Sequence, residues 1–180
     1  MKNVIILAFA LMVPSLAAAV EDRPNLNDAQ IAAIVVGANQ IDIDAGKLAE
    51  SKSSNSEVDA FAHRMIGDHT DVNKQATALA TKLKMTPEET TLSKAMKSDA
   101  KRNMDRLQKL SGKDFDNTYL SNEVTFHKQV LDIIDTKLLP NVQNEELKAL
   151  IVKVRPAVAS HLEHAEKLLQ VVHEMNSKKK

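Results

Sequence analysis

The chain has no cysteine and no tryptophan, and only four glycines and five prolines among 180 residues. Without cysteine there are no disulfides, no thiolate metal ligands, no cysteine nucleophile and no covalently attached c-type haem. So few turn-forming residues exclude a turn-rich all-β fold. A surplus of one charge is also missing, because 24 Lys+Arg balance 24 Asp+Glu. A nucleic-acid binder needs a basic surplus or patch, so no nucleic-acid partner is expected. Beyond the first nineteen residues, no apolar run approaches the roughly 20 residues of a transmembrane helix. The chain as a whole is 43% hydrophobic and 27% charged. That composition belongs to a globular chain of one domain. It specifies neither a protein partner nor an oligomeric state.

The first nineteen residues form a separate unit. Lys2 opens a short positive region, Val4 to Val13 is apolar, and Ala17-Ala18-Ala19 offers small residues for cleavage before Val20. This is the pattern of a secretory signal peptide. No cysteine stands at the cleavage site, so a lipoprotein is excluded. The expected division is a leader over 1–19, a short linker over 20–26, a helical bundle over 27–176 and a basic tail over 177–180. The expected location is periplasmic or secreted.

The remainder carries helical periodicity throughout. The spacing predicts a helix from Asn27 to Ser51, with Asn27 and Gln30 forming a capping box. A second runs from Glu57 to Lys84 on a 4-3 stripe of Val58, Ala62, Met65, His69, Val72, Ala76, Leu79 and Leu83. Thr86-Pro87-Glu88-Glu89 reads as a start signal for a weaker, accessory helix ending near Ser111-Gly112. A fourth spans Asp114 to Leu139 and stops before Pro140. The last spans Glu145 to Asn176, with Pro156 expected to kink it. Four long helices and one accessory helix predict an all-α fold, a four-helix bundle with an extra crossover element.

Each long helix carries one polar residue on its own apolar stripe: Asp42, His69, His127 and His161. An unpaired ionisable group in a core costs several kcal/mol, so each needs compensation. Counting residues from the connecting turns puts Asp42 and His69 within about 4.5 Å of one level, and His127 and His161 within about 9 Å. Glu123, one turn from His127 on the same face, is a fifth candidate. Three imidazoles and a carboxylate make a first shell for zinc, copper, or mononuclear iron or manganese. Asp68, Glu163 and His164 read as outer partners or surface residues. Met65 reads as core packing, and His63 and His173 as surface. The alternative is a hydrogen-bonded core network with no metal. Catalytic motifs are missing: there is no phosphate loop, no H-E-x-x-H and no nucleophile elbow around Ser160-His161.

Four segments also resemble a known family: AGKLAES (Ala45 to Ser51), FAHRMIGDH (Phe61 to His69) with Asn73, SGKDFDNTYL (Ser111 to Leu120) with His127, and RPAVASHLEHA (Arg155 to Ala165). They are similar to the bacterial exported, ferritin-like "domain of unknown function 4142". The resemblance covers roughly Asn27 to Val172. It implies a ferritin-like up-down bundle with a crossover between the second and third core helices. It marks Asp42, Asp68, His69, Asn73, Asp116, Tyr119, His127, Pro156 and His161 as the family's recurring positions, and it supplies no activity. The oxidative ferritin-like pattern uses Glu-x-x-His on two helices. Here Ile66 and Val158 stand three residues before His69 and His161, so a His-rich mononuclear site fits better than a di-iron one. The expected role is storage, buffering or stress protection.

Overall fold

A computed structural model describes the backbone of residues 25–177 and the side chains of residues 25–174. The expected leader, most of the linker and the last three lysines lie outside the described residues. Among the described residues there are five α-helices and no strand.

Helix α1 (Asp28–Lys52) opens on the expected capping box, Asn27 and Gln30 each satisfying the other's backbone N–H. A short turn leads to α2 (Ser56–Lys82), capped by Asn55. Helix α3 (Thr91–Leu107) starts later than the Thr86-Pro87 signal predicts. The Glu88 N–H donates instead to the Ala29 carbonyl, holding that segment against the start of α1. A reciprocal cap between Thr90 and Ser93 then opens the helix. Helix α4 (Gly112–Ile133) continues into one π-helical turn, Ile134–Leu138. Helix α5 (Glu145–Ser177) runs on through Pro156 as one element. Its entry is tied to α1, because the Asp28 carboxylate accepts the N–H groups of Gln143 and Asn144.

Two apolar clusters define the directions. One gathers Ile31 and Ile34 from the start of α1, Ala76 from the end of α2, Ile133 to Leu138, and Leu147 to Val158 from the start of α5. The other gathers Ala49, Val58, Phe61, Met65, Phe115, Tyr119, Leu120, Ala165 and Leu168 from the opposite ends. Helices α1 and α5 therefore run one way, and α2 and α4 the other. Helix α3 carries the chain back along the bundle against α1 and α4. One long crossover between two antiparallel pairs is the connectivity of ferritin-like bundles.

Gly46 lets α1 and α2 approach closely. A Cβ there would sit 2.9 Å from Ile66 Cγ1 and 3.1 Å from the Ala62 carbonyl oxygen. Between the two apolar clusters lies a polar layer: Asn39, Asp42, His69, Glu123, His127 and His161, all buried.

Candidate metal centre

The layer draws Asn39 and Asp42 from α1, His69 from α2, Glu123 and His127 from α4, and His161 from α5. All five residues singled out by their stripes are in it. One nitrogen from each of His69, His127 and His161 lies within 4.8 Å of the others, and so do ligand atoms of Asp42, Glu123 and His127. The ring centroids stand 5.1 to 5.7 Å apart.

The hydrogen bonds decide the tautomers. His127 Nδ1 lies 3.0 Å from the Glu123 backbone carbonyl. A carbonyl only accepts, so Nδ1 carries the proton and Nε2 keeps its lone pair. His161 Nε2 lies 2.8 Å from Asp68 Oδ2. It donates to that carboxylate, leaving Nδ1 with a lone pair. Asn39 Nδ2 donates to the Val35 carbonyl at 2.8 Å, which fixes its amide. Its oxygen then faces His69 Nδ1 at 2.7 Å, so that nitrogen donates and His69 Nε2 keeps a lone pair. The remaining nitrogens, His69 Nε2, His127 Nε2 and His161 Nδ1, are all buried without a hydrogen-bond partner. Each ring is thus held from outside, and each keeps an unprotonated nitrogen for the interior. Outer partners fix metal-binding imidazoles in this way.

Asp42 Oδ2 lies 3.3 Å from His69 Nε2. A lone pair against a carboxylate oxygen is repulsive unless a proton or cation lies between them. Burial raises the Asp42 carboxyl well above its usual range, and the neighbouring Glu123 raises it further. Burial also pushes Glu123 up to about 8, offset in part by its hydrogen bond with Asp42. In the absence of metal, both carboxyls hold a proton more tightly than a free carboxyl does. The imidazoles shift the other way. Burial, followed by the other two imidazoles, lowers His69 to about 3. Burial lowers His127 to about 4. Burial also depresses His161, against the opposing effect of the hydrogen bond it donates to Asp68. All three are neutral at pH 7, the form that binds metal.

Asp68 is both of the things its position allows, since it is half-exposed and bonded to His161. Burial alone would raise its carboxyl, but His161 and Arg64 hold it below the usual value. Glu163, His63 and His173 are exposed. His164 packs edge-on against Phe61. Met65 is buried in the apolar cluster with Phe61 and Tyr119, as core packing requires. Asp116 accepts the Ser53 hydroxyl at 2.7 Å, bracing the α1–α2 turn.

Two residues at the centre escape a reading of one polar residue per stripe. Asn39 was findable, because it stands four after Val35 and three before Asp42 on the same stripe. Tyr119 looks like an apolar core residue in sequence. Its buried hydroxyl has no partner, and burial, then Glu123 and Asp42, push its pKa well up.

Fold and centre together define a helical bundle with a buried, His-rich polar layer. The chain belongs to the family described as Domain of unknown function (DUF4142), which matches residues 13–168. No curated protein and no solved structure matches it.

Proposed function

We propose that this protein binds one divalent transition metal through His69, His127 and His161, with Asp42 as fourth ligand and Glu123 beside it. The observation that carries this reading is the convergence of three unprotonated imidazole nitrogens in a buried space, where His69 Nε2 has the Asp42 carboxyl at 3.3 Å and His127 Nε2 and His161 Nδ1 have no hydrogen-bond partner. A closed hydrogen-bond network would pair each acceptor with a donor. Three imidazoles and a carboxylate suit zinc, copper, or mononuclear iron or manganese. The role is storage, buffering or protection against metal stress outside the cytoplasm. Export is supported by the leader pattern, and the mature chain is expected to begin at Val20.

The test is elemental analysis of the mature protein, purified without chelator or affinity tag, beside a His69→Ala, His127→Ala variant. About one equivalent of a transition metal is expected, lost in the variant. No metal in the wild type, and none after challenge with zinc, copper, iron and manganese, would overturn the reading.

A further inference from the structure

Two cavities meet the centre. One holds about 60 Å³ and is walled mainly by aliphatic side chains such as Ile34, Ile133, Ile151 and Val158, with Asp68 and His161 among its few polar residues. A divalent ion passing the aliphatic part of that lining would shed water with no oxygen there to replace it. The other holds about 280 Å³ and lies beneath α3. Asp42, Tyr119 and Glu123 line its inner end, and Asp99, Asn103 and Gln129 its outer part. The Tyr119 hydroxyl and Glu123 Oε2 are buried without a partner, on residues that are 0% and 3% exposed. Such orphaned oxygens ask for a ligand. Helix α3, the roof, buries only Ser93 and Leu107 of its 17 residues. An element with so little buried surface opens most readily.

We propose that this groove is the port by which a divalent cation reaches the imidazoles, with Glu123 and Tyr119 as the oxygen donors that receive it and α3 as its roof. The proposal rests on the metal-binding reading above. Water on the ion is exchanged first for carboxylate and phenol oxygen, then for imidazole nitrogen. His127 links the two stages, since it belongs to both groups of ligand atoms.

Stopped-flow uptake of cobalt(II), followed by its absorbance, tests the port. Ala100→Trp and Met104→Trp place bulk on two half-buried α3 residues that line the groove. Each should slow association and dissociation together, by about tenfold or more, and leave Kd and stoichiometry unchanged. Ala157→Trp, exposed beside the aliphatic cavity, should keep wild-type rates. Glu123→Gln should slow association more than it speeds dissociation. Wild-type uptake rates in both groove variants, with cobalt still bound at full stoichiometry, would overturn the port alone. Faster dissociation with unchanged association in Glu123→Gln would make Glu123 only a ligand, and overturn its receiving role. A wild type that binds no cobalt would overturn the metal reading and the port with it. If both tryptophan variants misfold by circular dichroism, amide exchange of the wild type decides. Cobalt loading should slow exchange in α3 more than in α5, and equal slowing overturns the port.

Discussion

Asn39 orients His69 through two linked bonds: its amide nitrogen donates to Val35, and its oxygen accepts the imidazole N–H. Asn39→Ala removes that acceptor and frees the ring to flip or change tautomer. Metal affinity is expected to fall about 10- to 100-fold while the ligand set stays complete, measured by competition with a chromophoric chelator. Protonation of the layer sets a second expectation. His69 and His127 sit at about 3 and about 4 when folded, against 6.5 when free. Their share of stability is full above pH 6.5 and is lost as pH falls toward those values. Glu123 is raised from 4.5 to about 8, and Asp42 is raised too. The Glu123 share is full below 4.5 and is lost as pH rises through about 8, and the Asp42 share is lost in the same direction. The metal-free protein should therefore be most stable where the two windows cross, between about pH 4.5 and 6.5. Urea midpoints taken across that range and beyond it check this, and a steady rise into alkali would contradict it. Metal should remove the alkaline loss by replacing the protons on both carboxyls.

Helical side chains lean toward the N-terminus of their own helix, and this closes the level gap left by residue counting. His127 on α4 leans away from the α4–α5 turn, and His161 on α5 leans toward it. The apparent offset of about 9 Å becomes a ring separation of 5.5 Å. The same opposition brings Asp42 to 3.3 Å from His69. Close packing of α1 on α2 is testable at two glycines. Gly46→Ala forces a methyl against Ile66 and the Ala62 carbonyl, and should cost about 1 to 3 kcal/mol in chemical denaturation. Gly67→Ala, with nothing within 4 Å, should stabilise α2 by about 0.5 to 1 kcal/mol. Helices, directions and seam residues were legible because apolar spacing states which face is buried. Asn27 and Gln30 were legible because a cap is local chemistry. The start of α3 was not, because the bond from Glu88 to Ala29 joins residues distant in sequence. The π-helical turn after Ile133 leaves no mark in the stripe. Nor could spacing tell which nitrogen of each imidazole faces inward, since that depends on Asn39, Asp68 and the Glu123 carbonyl.

The whole bundle places a polar layer where its two apolar clusters would otherwise join. Without a cation, the layer buries two imidazole nitrogens with no partner, His127 Nε2 and His161 Nδ1, and each such group costs about 1 to 3 kcal/mol. A bundle selected for stability alone would fill the level with leucine. His127→Leu separates the two demands, because it keeps apolar volume and removes one inward acceptor. The metal-free variant is expected to melt within a few degrees of wild type or above it, because replacing buried ionisable groups by apolar ones is often neutral or stabilising. Loading tells the two proteins apart. A ligand at 100 times its Kd adds about 2.7 kcal/mol to the folded state. For a domain of this size that is a rise of about 5 to 10 °C in Tm. Wild type should show that rise with its cognate metal, and His127→Leu should show little of it. A metal-free His127→Leu that loses several kcal/mol would mean instead that the imidazole stabilises the core through its own bonds. The layer would then be retained for the fold and not for an ion.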